Sequence, residues 1–175
     1  NVPVEEKLFS IFETHVDCIV KGQRDVTFGH KVNFTGGKSN LIFDCIIERG
    51  NPADTDYYQK TLDNLKVNFD VVPKSMASDG GYASLKNLNY AQDQGIINVV
   101  FNKVRGKQQN IATSDKMETM LKKWRSGIEA VISNFKRGLK ASLCPLKGWQ
   151  AFKSFVLWGV ITFNLRIIAR AILAR

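Results

Sequence analysis

SMASDGGYASLKNLNYAQDQGIINVVF, residues 75–101, carries the reading of the fold. Pro73 precedes it, and the short run Ser75 to Ser78 reads as a strand that stops at Asp79-Gly80-Gly81. Two glycines free the backbone to turn sharply, because neither carries a Cβ. The segment 83–94 then reads as a helix closed by Gly95, the residue type favoured at a helix end that turns left-handed. IINVVF (96–101) is rich in β-branched and aromatic residues and predicts a second strand. On the N-terminal side, KLFSIF (7–12), VTFGHKVNF (26–34) and LIFDCIIE (41–48) predict strands. The last two flank the turn-rich TGGKSN (35–40) as a β-hairpin. Asp54 or Thr55 caps a helix that carries Tyr57, Tyr58, Leu62 and Leu65 at helical spacing. On the C-terminal side, a polar, basic loop (102–115) leads to a long helix from about Met117 to Leu139. Its apolar face holds Trp124, Ile128, Val131, Ile132 and Phe135. A last amphipathic helix covers roughly 148–173, with Trp149, Phe152, Phe155 and Trp158 as core residues.

Strands alternating with helices after a hairpin imply an α/β fold with a mixed sheet flanked by helices. At 175 residues, with no repeat and no low-complexity linker, the chain is expected to form a single domain over 1–175. The three cysteines (Cys18, Cys45, Cys144) and two histidines (His15, His30) have no zinc-finger spacing and no C-x-x-C. That usage fits a reducing cytoplasm. No signal peptide opens the chain. The apolar run Phe155 to Phe163 is short for a bilayer and is flanked by Lys153, Arg166 and Arg170, which predicts a packed helix.

Charge is unevenly spread. The net charge is +9, yet residues 1–100 hold 10 Lys/Arg against 13 Asp/Glu, whereas residues 101–175 hold 15 against only Asp115, Glu118 and Glu129. A basic half of this strength suits a polyanion, since each neutralised phosphate releases condensed counterions. Lys103, Arg105 and Lys107 in the basic loop are candidate contacts to a nucleic-acid backbone.

Two acids stand out as candidates for holding a hard divalent cation, which takes oxygen ligands. Asp79 ends a strand at the sheet edge where ligands of α/β folds commonly bind, or else it simply caps the following helix. Glu129 is the one acid after Glu118, in a helix rich in Lys and Arg. Arg125, Glu129 and Lys136 fall on one helical face, which by itself reads equally as an ion-paired surface.

The pattern Arg125-x3-Glu129-x6-Lys136 resembles the R-E-K part of the signature of insertion-sequence DDE transposases. FGHKVNF (28–34), GNPAD (50–54), SDGGYASLKNL (78–88), WRSGIEAVISNFKR (124–137) and Phe163-Asn164-Leu165 follow one another as in that family, so the resemblance spans nearly the whole chain. It implies an RNase H-like fold and two-metal hydrolysis and strand transfer on double-stranded DNA. It further implies Mg²⁺ or Mn²⁺ held by Asp79, Glu129 and a further Asp, with Arg125, Lys136, Arg137 and Lys31 on DNA phosphates. A homodimer working at the bacterial nucleoid fits the same picture. The family's Tyr three residues before the Arg is Lys122 here, which leaves any base-stacking role without its residue. The family's first Asp precedes the GHK strand, where the acids are Glu5, Glu6, Glu13, Asp17 and Asp25. Two assignments stand: Asp17, or an Asp upstream of Asn1 in a longer protein of which this chain is an N-terminally truncated part. With the latter, a DNA-binding remnant without cleavage is the alternative. A third reading, an unrelated basic α/β protein that binds RNA, lacks the aromatic RNP-type motif it needs.

Overall fold

The computed structural model describes residues 7–21, 25–104 and 110–174. Glu5, Glu6, Arg105 and Lys107, all named above, lie outside the described residues. In order, the elements are β1 (Asp17–Lys21), β2 (Asp25–Gly29), β3 (Val32–Gly36), β4 (Ile42–Ile47), α1 (Asp54–Phe69), β5 (Ser75–Ser78), a 3₁₀ turn (Gly80–Tyr82), α2 (Leu85–Asp93), β6 (Asn98–Phe101), α3 (Asp115–Gly138) and α4 (Trp149–Leu173). The α/β class expected from the sequence holds. The strands pair two by two: β1 with β2 antiparallel, β3 with β4, and β5 with β6 parallel.

The chain divides into two compact units that interleave along the sequence. One comprises Asn1–Asn33, Cys45–Pro52 and Phe135–Arg175; the other comprises Phe34–Asp44 and Ala53–Asn134.

The second unit is built around the 75–101 stretch. β5 and β6 run in register from Ser75 opposite Asn98 to Ser78 opposite Phe101. All four residues of β6 are buried, so the strand has an apolar neighbour on each face. Its other edge is closed by Ile111, which exchanges two backbone hydrogen bonds with Val99 (2.7 and 2.9 Å). Asn110 completes the edge with its side chain. Its Oδ1 accepts from Phe101 N (2.7 Å) and its Nδ2 donates to Phe101 O (3.1 Å), as a neighbouring strand would do with its backbone. Ser84 caps α2 by accepting from Asn87 N, and Gly95 at φ 84° reverses the chain after it. Tyr58 and Leu62 of α1, Leu88 and Ala91 of α2, and Ile96, Val99 and Phe101 form the core. Each large side chain so buried contributes ~1.5–3 kcal/mol relative to exposure. Contrary to the capping expected from Asp54 or Thr55, the residue before α1 is Ala53, with no side-chain cap.

The first unit differs from expectation in three places, one being that the strand expected over 26–34 is broken at His30-Lys31 into β2 and β3. KLFSIF is not a strand; Ile11 and Phe12 are exposed there, and the first strand is Asp17–Lys21. The β1–β2 pair buries so little that Val20, Val26 and Phe28 all face solvent. α4 is apolar around its whole girth rather than amphipathic, and its 25 residues are long and apolar enough to cross a membrane by length and composition alone. The apolar run from Phe155 to Phe163 is therefore part of a longer apolar helix than its own length suggested. Only Val156 and Phe163 of it are buried, Phe163 against Phe135 with ring centroids 6.1 Å apart. Trp158, expected in the core, is 67% exposed, while Trp149, Phe152 and Phe155 are half-buried.

Candidate active site

Asp79 follows the last residue of β5, at the C-terminal end of the parallel pair. Its Oδ1 accepts from Gly80 N at 2.7 Å, so it caps the 3₁₀ turn, whereas the following helix, which it was expected to cap, is capped by Ser84. The two glycines after it leave little space for a side chain. A Cβ on Gly80 would stand 3.0 Å from Lys103 O, and one on Gly81 would stand 2.5 Å from Asp54 Oδ2. Tyr82, in the same turn, has its hydroxyl pushed well above the usual tyrosine range, first by burial and then by the charges of Asp54 and Asp79.

Arg125 and Glu129 stand one turn apart on α3. Arg125 Nη2 donates to Glu129 Oε1 and lies 3.6 Å from Asp79 Oδ1. One guanidinium nitrogen is thus shared by carboxylates from two separate elements. The arginine side chain is 13% exposed, whereas those of Asp79 and Glu129 are 55% and 59% exposed. The cation is the covered member and the carboxylates open to water. Further along the same helix, Glu118 is held ionised below the usual carboxylate range by hydrogen bonds from Lys122 and then Asn110. Lys122, which stands where the family has Tyr, is thus occupied with an ion pair 2.6 Å long. Lys136 and Arg137 lie exposed in the last turn of α3, in the other unit.

The remaining candidates belong to the first unit. Lys31 Nζ donates to Pro52 O at 3.1 Å, which ties the strand start to the turn before α1. Asp17 Oδ2 accepts from Gly50 N (3.0 Å) and is hydrogen-bonded to His30 Nδ1 (2.9 Å). His30 Nε2 meets His15 Nδ1 at 2.7 Å, and His15 Nε2 meets Glu13 Oε2 at 2.8 Å. Glu13 Oε2 also accepts from Gly148 N, at the head of α4, where the helix dipole favours a negative charge. That bond, foremost, holds the Glu13 carboxyl below its usual range. Four side chains therefore form one row, Glu13–His15–His30–Asp17. Trp149 packs edge-on against His30 at 4.7 Å, and Arg49 lies 5.0 Å from the Trp149 ring centroid. The bond between Glu13 and His15 and the pairing of the histidines were missed by sequence reasoning. The available signal was three chemistry-bearing residues, Glu13, His15 and Asp17, within five positions.

Among the described residues, no group of three or more His, Cys, Asp or Glu side chains converges to hold a metal ion. Asp79 and Glu129 still offer a donor set that suits a hard divalent cation: two exposed carboxylates converge on one positive charge. Mg²⁺ commonly makes do with one or two carboxylates, completing its shell with waters and substrate phosphates.

The transposase DDE domain profile matches residues 20–165. The chain belongs to the transposase DDE domain family. The kinship with insertion-sequence DDE transposases expected from the order of motifs therefore holds, and with it a transposase function and a DNA substrate. The match runs from within β1 to within α4, so most of that long apolar helix is part of the DDE domain. No curated protein and no solved structure gave a significant match.

Proposed function

We propose that this transposase domain cuts and joins DNA at insertion-sequence ends, using Asp79 and Glu129 to hold divalent cations, Mg²⁺ or Mn²⁺. The observation that carries this reading is the single Arg125 nitrogen shared by Asp79 and Glu129. Carboxylates from a strand end and a helix face that meet at one cation are what phosphoryl transfer requires. When bound, the ions neutralise the charge that develops on the attacking and leaving oxygens.

The chain's own residues position the reactants. Arg125 presents a planar fork matched to phosphate oxygens, while Lys136, Arg137 and Lys31 supply point or forked charges along the backbone. In the first step, water attacks phosphorus at the element's end, the P–O3′ bond breaks, and a 3′-hydroxyl is left. In the second, that hydroxyl attacks a target phosphorus in line and displaces the target's own 3′ oxygen. Fixed geometry lowers both barriers by making each attack effectively unimolecular. Pairing of two such domains on two ends accounts for a homodimer, working with the nucleoid in a reducing cytoplasm.

Asp17 was the candidate third ligand. Its Oδ2 already accepts Gly50 N and is bonded to His30, and we assign it to holding His30 in place. The third carboxylate is then supplied from outside this chain. The absence of a three-ligand group among the described residues also favours a second reading, a remnant that binds DNA and does not cut.

Glu129→Gln tests the assignment. Glutamine keeps the shape and helix propensity of glutamate and loses its charge. On duplex carrying the element's end, with Mg²⁺, the variant is expected to lose cleavage and to keep its fold by circular dichroism and nearly all its DNA affinity. Cleavage at the wild-type rate would reduce Glu129 to an ion-pair residue. Both proteins are compared with the residues upstream of Asn1 restored, and no cleavage by that wild type in Mg²⁺ or Mn²⁺ selects the remnant.

A further inference from the structure

Arg125 and a divalent cation compete for the same oxygens. Its guanidinium holds Glu129 Oε1 and sits 3.6 Å from Asp79 Oδ1, so two of the lone pairs a cation needs are already directed at a positive charge. Both carboxylates are more than half exposed and the arginine is nearly covered, so the pair of anions is open to an incoming ion while Arg125 waits behind them.

We propose that Arg125 is an exchangeable counter-ion. It bridges Asp79 and Glu129 until a divalent cation takes the two carboxylates, and then turns its fork to a DNA phosphate, so that cation and DNA bind cooperatively. This rests on the reading of Asp79 and Glu129 as the cation-holding pair. The charge balance gives the direction. Asp79, Glu129 and Arg125 together carry −1, which repels a phosphate; with a divalent ion added they carry +1, which attracts it. The released guanidinium keeps its full set of donors for the phosphate, and a planar fork meets two phosphate oxygens at once. Coupling of this kind is reciprocal: whatever factor the cation adds to DNA affinity, DNA adds to cation affinity. Arg125 acts here as a positioning residue, and its part is read in binding rather than in turnover.

The experiment measures Mn²⁺ binding by electron paramagnetic resonance on the full 175-residue chain, without DNA and with a short generic duplex. Arg125→Gln removes the competing charge and keeps a polar side chain of similar reach. Without DNA it is expected to bind Mn²⁺ about fivefold more tightly than wild type, the low end of typical coupling. It is also expected to lose the gain in DNA affinity that Mn²⁺ gives the wild type. Arg125→Lys keeps the charge and is expected to keep the wild-type Mn²⁺ affinity, which separates competition from loss of fold. Equal or weaker Mn²⁺ binding by Arg125→Gln, with wild-type binding abolished by Glu129→Gln, overturns the exchange and leaves the site assignment standing. Mn²⁺ binding that is absent from the wild type, or indifferent to Glu129→Gln, overturns both.

Discussion

Replacing Asn87 strikes the joint that holds the Asp79 turn to α1. Its side chain is only 2% exposed, and its Nδ2 donates to Thr55 O and to Tyr82 O, each at 2.9 Å. Gln59 Nε2 donates to its Oδ1 at 3.4 Å, a bond near the limit of useful length. Alanine removes both short bonds and leaves two carbonyls without their donor. A freed acceptor costs ~1–3 kcal/mol when water cannot reach it, so the two together, at half-buried residues, cost about 2–4 kcal/mol. For a chain of this size each kcal/mol moves the melting temperature by roughly 2–4 °C, so Asn87→Ala is expected to melt roughly 4–16 °C lower. Asn87→Asp is the sharper variant. It places an oxygen where the donor stood, facing two carbonyl oxygens, and puts a charge in a nearly closed site, so it is expected to be less stable than the alanine variant. Thermal unfolding followed by circular dichroism gives the order, and hydrogen exchange at Gly80, Gly81 and Tyr82 should quicken in both variants. An Asn87→Asp protein as stable as wild type would refute the reasoning, because it would mean that Nδ2 does not hold Thr55 and Tyr82.

Two more predictions concern the first unit. Burial, ahead of its bond to Asp17, lowers the His30 pKa, so the unfolded chain takes up a proton more readily than the folded one. The stability His30 contributes is present above about pH 6.5 and is lost as pH falls below it, so the melting temperature of wild type should drop more than that of His30→Gln between about pH 7.5 and 5.5; parallel curves would contradict this. Phe163→Ala opens a hole beside Phe135 and should cost about 3–5 kcal/mol in urea unfolding, whereas Trp158→Ala should stay within about 0.5 kcal/mol; comparable losses would mean that α4 packs on its other face.

Legibility along the chain followed how local each signal was. The strand, turn, helix and strand of 75–101 were readable because glycines and β-branched runs mark each change within a few residues. KLFSIF misled, since six residues of apolar sequence become a strand only where a partner pairs with them, and β1 pairs with β2 instead. α4 was read as amphipathic from its aromatic spacing, but helical spacing names a face without saying that anything covers it. At the site, Asp79 and Glu129 were found separately and Arg125 was taken as a phosphate contact. Its bridging of the two acids depends on a strand end and a helix 46 positions further on meeting in space, and no spacing in sequence encodes that. The row from Glu13 to Asp17 through the two histidines is likewise a product of folding, reaching as far as Gly148.

That last reach sets a clock on synthesis. Every residue of the second unit has been made by Asn134, whereas the first unit starts ahead of it and is completed only by the segment from Phe135 onward. Glu13 and Gly148 are 135 positions apart, so at ~5–20 residues per second the Glu13 carboxylate waits roughly 7–27 s on the ribosome for its amide partner. During that interval the β1–β2 pair has Val20, Val26 and Phe28 exposed, as in the finished fold, and His30 after it lacks the Trp149 and Phe152 rings that pack on it. The stretch around β1 and β2 is therefore the part of this chain that a holding chaperone has most reason to meet.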